Sequence, residues 1–343
     1  MCSRRLRPPL AAVLVVLAGA GCGGAQDSSA GSGGGGGEAE SQLALVAYST
    51  PEVVYEEIIP AFDRIRAGSG VGFKTSFGAS GDQSRAVEAG LQADVVSFSI
   101  EPDMTRLVAT GLVAPDWDRT PTKGVVTTSV VSFIVREGNP KQIRTWADLL
   151  RPGVEVLTPN PFSSGAAKWN LLAAYGQASR AGQDPKAGLD YVRELLTEHV
   201  RVQDKSGREA LQNFISGNGD VLLSYEYEAT TAQRKGQDVE YVVPDDTIRI
   251  EIDIATTRGA PPAARTFVDY VLSEAGQERF AGWGYRPVNE RVLAAHRSKF
   301  PEPSGLFEIE DLGGWEKVNE ELFDPEHGSI ARIEEQAGVS TAR

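Results

Sequence analysis

From residue 43 onward the chain alternates short apolar, β-branched runs with amphipathic segments of helical period, and no other feature restricts its fold as tightly. LALVAYS (43–49) predicts a strand. PEVVYEEIIPAFDRI (51–65) predicts the helix after it, with Pro51 suited to a first helical position. VGFKTSF (71–77), GDQSRAVEAGL (81–91) and ADVVSFS (93–99) continue the strand–helix–strand order. A second series follows: VEVLTPN with SSGAAKWNLLAAYGQA, VRVQD (200–204) with REALQNFISG, and DVLLSYE (220–226) with a short helix. Strands joined through helices run parallel, and the helices cover the faces of the sheet. Two long β-branched segments, TTSVVSFIVREGN (127–139) and TIRIEIDIATT (247–257), are long enough to run from one series into the other. The expected fold is α/β and two-lobed, each lobe a mostly parallel sheet flanked by helices, with a ligand cleft between. Lobe 1 is expected over 42–128 plus 248–300 and lobe 2 over 129–247. PAARTFVDYVLSEAGQERFAGWG (262–284) predicts a helix pair, and 301–343 a C-terminal segment wrapping the surface.

The strand-to-helix turns share a composition. YSTPE, FGASGDQ, NPFSSGAAK and DKSGRE each place Ser or Thr with Gly or Ala where a helix begins. Any one of them is explained by a serine cap or a glycine turn. Four together suggest something more, because in α/β sheets these turns lie at the carboxyl ends of the strands, where ligands bind. Helix N-termini gathered there would offer free N–H groups and partial positive charge to a small oxyanion. Enzyme readings fit less well. FGASGD is not a G-x-S-x-G elbow, Ser164 and Lys168 are four apart rather than three, and no dinucleotide or P-loop glycine pattern occurs. No catalytic residue and no enzyme activity are expected.

Charge and rare residues narrow the partners. The 343 residues carry a formal charge of −13, which disfavours nucleic acid and anionic membrane surfaces. The three histidines, His199, His296 and His327, are far apart in sequence, and both cysteines, Cys2 and Cys22, lie at the amino end. The body therefore has no disulfide or cysteine metal site, and neither metal nor cofactor is expected. Arg4, Arg5 and Arg7 precede the apolar run LAAVLVVLAGA, which is too short to span a bilayer and suits a signal peptide over 1–21. GAGC (19–22) resembles the bacterial lipobox, with Gly19 where leucine is usual and Cys22 as the lipidated residue. Losing the three arginines takes the charge from −13 to −16. Residues 22–41 read as a lipidated cysteine followed by a Gly/Ser-rich tether. A body held by lipid on the outer face of the cell membrane is expected.

GNPKQIRTWADLLRPGVEVLTPNPFSSGAAKWNLLAAYG (138–176) resembles the central block of the bacterial sulfate- and thiosulfate-binding proteins of ABC transporters. GASGDQ (78–83), DVLLSYEYEA (220–229), GYRP (284–287) and DLGGW (311–315) resemble further family motifs, and the likeness covers roughly 43–335. It implies a class II periplasmic-type binding protein, monomeric, that closes around sulfate or thiosulfate and delivers it to permease subunits. It also implies the contacts: the Thr50 N–H, where the family has aspartate; Ser80; the Ser164 hydroxyl; the N–H groups of Gly165, Ala166 and Gly207; and Tyr225, where the family has a tryptophan. Arg208 and Asp94 match an outlying charge pair. Molybdate remains open as a ligand. So does ferric ion, through Tyr225 and Tyr227 on one face of a strand, and so does a scaffold without ligand. Trp169 reads as core.

Overall fold

The structure is a computed structural model and describes residues 41–341. The expected signal peptide, Cys22 and residues 22–40 of the tether lie outside the described residues. In chain order the elements are β1 (Ser41–Tyr48), α1 (Glu52–Asp63), β2 (Val71–Gly78), α2 (Ser80–Glu88), β3 (Val95–Phe98) and α3 (Glu101–Ala109). Then come β4 (Val125–Arg136), α4 (Trp146–Leu149), β5 (Val156–Leu157), α5 (Gly165–Ser179), α6 (Pro185–Glu194), α7 (Gly207–Ile215), β6 (Val221–Tyr225) and α8 (Glu226–Arg234). The rest are β7 (Val239–Val242), β8 (Asp246–Thr256), α9 (Pro262–Leu272), α10 (Glu274–Gly282), β9 (Arg286–Pro287), α11 (Glu290–Ala295), β10 (Gly305–Phe307), α12 (Gly314–Val318) and α13 (Ser329–Gln336).

The strands form one mixed sheet whose main path runs β2-β1-β3-β8-β4-β6-β5. At its two ends the pairs β1/β2, β1/β3 and β5/β6 are parallel, as helix-connected strands must be. The middle is antiparallel, and the two long segments make it. β4 pairs with β8 through Val125–Val130 and with β6 through Val131–Val135. One continuous strand thus joins the β1–β3 end of the sheet, reached through β8, to the β5–β6 end.

Helix α1 buries Val53, Val54, Tyr55, Ile58 and Phe62, the i, i+4 stripe that its sequence carries. Helix α5 buries nearly every residue from Gly165 to Gly176, so it is a central helix rather than a surface one. Trp169 on it is core, with its indole N–H donating to the Ser99 carbonyl at 2.6 Å. The DLGGW motif returns to this helix. Gly313 and Gly314, at φ 100° and 83°, turn the chain so that the Trp315 ring meets the Trp169 ring edge-on at 4.7 Å.

Two local expectations differ. Val200–Asp204 forms no strand, only an isolated bridge between Val200 and Val156. The π-helical turn Leu195–His199 leads into that bridge, and residues 201–204 after it pair with no strand. Tyr225 and Tyr227 do not alternate on one strand, because β6 stops at Tyr225 and Tyr227 belongs to α8.

Candidate anion-binding site

Five helix starts meet, four of them at the carboxyl ends of strands. Thr50 follows β1 and precedes α1; Ser80 opens α2; Gly165 and Ala166 open α5; Gly207 opens α7; Tyr225 caps α8. Close contacts tie them together. A methyl group on Gly207 would sit 3.5 Å from both the Ala166 Cβ and the Thr50 Cγ2. One on Gly165 would fall 2.1 Å from the Ser99 Oγ, and the Ser99 N–H donates to the Ser80 Oγ at 3.1 Å. The Gly81 N–H donates to the Ser163 carbonyl at 3.1 Å. Turns distant in sequence therefore form one small cluster, whose residues Thr50, Ser80, Ser164 and Ala166 are all buried.

The cluster is rich in donors. The first-turn N–H groups of Gly165, Ala166 and Gly207 have no acceptor among the described residues, as the first turn of any helix leaves them. Ser164 makes no capping bond to its own helix, so its hydroxyl is not spent there. The hydroxyls of Ser99, Tyr225 and Tyr285 are buried without a well-formed hydrogen bond, Tyr225 lying beside Ser99 and Tyr285 beside Thr50. Buried hydroxyls with such poorly satisfied geometry are uncommon in folded proteins, and three gathered at one place leave capacity for a polar ligand.

Ser80 has its hydroxyl committed within the protein. Its proton goes to Asp103 Oδ2 at 2.6 Å, so its remaining offer to a ligand is its backbone N–H. The charge pair between Arg208 and Asp94 is not formed. Asp94 lies at the amino end of β3, roughly 16 Å along the strand from Ser99 at the opposite end. Its carboxylate accepts the Ala44 N–H at 2.8 Å. Arg208 instead donates from Nη2 to the Thr50 carbonyl at 2.7 Å, with Nη1 4.0 Å from Glu52. That bond fixes the Thr50 turn from behind.

Beneath the cluster lies a layer of phenols. The Tyr227 hydroxyl is 2.8 Å from the Thr50 hydroxyl and 3.1 Å from that of Tyr48, and its ring stacks on Tyr285 at 3.6 Å. Burial pushes the phenols of Tyr48, Tyr225, Tyr227 and Tyr285 well above their usual range, so all four are neutral donors at physiological pH. Glu228, in the first turn of α8, is fully buried with neither oxygen bonded. Burial raises its carboxyl to about 6, against the opposing pull of Arg208 and Lys235. The motifs DVLLSYEYEA and GYRP meet here, since Arg286 Nε donates to Glu226 Oε2 at 2.7 Å. Ser99, Asp103, Tyr48, Tyr285 and Glu228 were not singled out from the sequence. For Ser99 the available signal was a serine at the carboxyl end of a predicted strand, while Tyr48, Glu228 and Tyr285 lie inside the YSTPE, DVLLSYEYEA and GYRP motifs.

Residues 43–286 match the bacterial extracellular solute-binding protein family. The chain belongs to that family. A sulfate-binding protein of Synechococcus elongatus is 38% identical over 293 residues, covering 82% of this chain and 83% of the relative. A thiosulfate-binding protein of Pseudomonas aeruginosa is 33% identical over 299 residues, covering 83% and 90%. The solved structure of the sulfate-binding protein SubI from Mycobacterium tuberculosis H37Rv is 48% identical with a TM-score of 0.81, covering 83% of this chain and all of that one. The two-lobed α/β fold is thus that of periplasmic-type solute-binding proteins, a family of transport components.

Proposed function

We propose that this protein captures sulfate or thiosulfate outside the cytoplasm and delivers it to the permease subunits of an ABC transporter, as a monomer held at the membrane by lipid on Cys22. The observation that carries the ligand is the convergence of Thr50, Ser80, Ser164, Gly165, Ala166, Gly207 and Tyr225, which pools backbone N–H groups with buried neutral hydroxyls. Sulfate carries no proton at pH 7 and needs donors alone. Helix N-termini supply partial positive charge to it without a buried cation. The names of the relatives agree with this chemistry. A ferric site would need carboxylate or imidazole ligands beside the phenols, and among the described residues no group of three or more His, Cys, Asp and Glu is placed to hold a metal ion. Lobe boundaries at 128/129 and 247/248 lie close to partner changes in the sheet, since β4 passes from β8 to β6 at Val130/Val131 and β8 passes from β10 to β4 at Ile248/Arg249.

Equilibrium dialysis against labelled sulfate, with thiosulfate, molybdate, phosphate and ferric citrate as competitors, tests the ligand. Displacement by thiosulfate but not by phosphate is expected, and preferential displacement by ferric citrate or molybdate would overturn the assignment. Palmitate labelling that disappears in Cys22→Ser tests the anchor, and labelling that persists would reject it.

A further inference from the structure

Helix α2 does more than present Ser80. Its first two turns grip the approaches to α5 and α7 on the other side of the cluster. The Gly81 N–H donates to the Ser163 carbonyl at 3.1 Å, and Arg85 Nη2 lies 3.4 Å from the Phe162 carbonyl. Asp82 Oδ2 is 2.8 Å from Lys205 Nζ. The far side of this grip is itself tied together, since the Ser163 hydroxyl donates to the Lys205 carbonyl at 2.7 Å. Ser163 and Lys205 each stand two residues before the helix starts that supply Gly165, Ala166 and Gly207.

We propose that Asp82 and Lys205 form a latch across the ligand cleft, holding α2 against the starts of α5 and α7 and so slowing release of the bound anion. The proposal rests on the anion-capture reading above and on its division into lobes, which puts Asp82 in one lobe and Lys205 in the other. The two residues are positioning residues, acting through Gly81, Ser163 and the helix starts rather than touching the ligand. Each partner's charge favours the ionised form of the other: Lys205 and Arg85 lower the Asp82 carboxyl against burial, and Asp82 raises the Lys205 amine. The acid is about one-third exposed and the amine about two-thirds, so the pair is partly screened and its effect is modest. A latch of this kind acts on escape, because the contact forms only once the two sides have come together. An ordinary helix-dipole role for Asp82 would not involve Lys205 at all.

Stopped-flow measurement of sulfate release from the full-length protein, for the wild type, Asp82→Asn, Lys205→Gln and the double variant, tests the latch. Each single variant is expected to release sulfate roughly two- to fivefold faster with little change in the association rate, and the double variant no faster than the singles. The wild-type advantage should shrink in 0.5 M salt, which screens exposed charges. Unchanged release in the single variants, or effects that add fully in the double, would overturn the latch while leaving sulfate capture intact. A wild type that binds no sulfate would overturn the capture reading and the latch with it.

Discussion

Gly165→Ala is the sharpest perturbation that the structure offers, because the space for one methyl group can be measured directly. The new Cβ would lie 2.1 Å from the Ser99 Oγ, with the Ile100 Cγ2 and Cγ1 at 3.1 and 3.3 Å. An ordinary approach is about 3.5 Å, so the shortfall at Ser99 is roughly 1.4 Å. Either the Ser99 hydroxyl swings away inside a packed interior or the start of α5 moves back. Overpacking of this kind costs about 1–3 kcal/mol. If the helix moves, the N–H groups of Gly165 and Ala166 retreat from the ligand by about 1 Å, enough to weaken charged hydrogen bonds worth roughly 1.5–3 kcal/mol each. Gly207→Ala is the control, since its Cβ would meet only two carbons at 3.5 Å, an ordinary contact. Thermal melts and sulfate calorimetry on both variants are expected to show Gly165→Ala less stable and at least tenfold weaker in binding, with Gly207→Ala close to wild type in stability. Adding Ser99→Ala should recover part of the Gly165→Ala loss. A Gly165→Ala protein as stable and as tight-binding as wild type would refute the close approach between α5 and Ser99.

Ser164→Ala should weaken sulfate about tenfold to a hundredfold by removing a hydroxyl not used as a helix cap, and an unchanged dissociation constant by calorimetry would take Ser164 out of the site. Tyr225→Trp replaces a buried hydroxyl that can donate or accept with an N–H that only donates, so the sulfate-to-phosphate affinity ratio should rise about fivefold or more; a ratio that stays or falls would remove Tyr225 from selectivity. Glu334 is fully buried and its carboxyl is raised from 4.5 to about 7, mainly by burial and in spite of its bond from Gln203. A raised carboxyl favours the folded state below pH 4.5, and that contribution is lost as pH climbs to about 7, on the order of 3 kcal/mol in all. Glu334→Gln should therefore match wild type in melting temperature near pH 4.5 and exceed it above pH 7; an equal difference at both would refute the shift.

The alternation of strand and helix was readable because each segment's period matches its final burial. Val53, Val54, Ile58 and Phe62 lie on one side of α1, and the β-branched runs of β4 and β8 pair on both edges. Val200–Asp204 misled because its alternating pattern is local, whereas a strand also needs a neighbour, and only Val200 found one. The same limit explains Tyr227, whose spacing from Tyr225 is that of a strand although the chain has already turned into α8. In the site, small residues at helix starts were visible as a composition, and the structure brings them together. What remained hidden was partnership over long sequence separations. Nothing in the sequence says that the Ser80 proton goes to Asp103, that Arg208 serves the Thr50 carbonyl rather than Asp94, or that Ser99 fills the space under Gly165.

The central claim is that the gathered helix starts bind an unprotonated tetrahedral oxyanion through donors alone. Calorimetric titration of the purified protein with sulfate, followed by phosphate under the same conditions at pH 7, measures this most directly. One saturable sulfate site per chain is expected, with phosphate severalfold weaker because its own O–H would have to take the Tyr225 hydroxyl as acceptor and forgo it as a donor. Equal affinity for the two anions, or no heat with sulfate, would contradict the account.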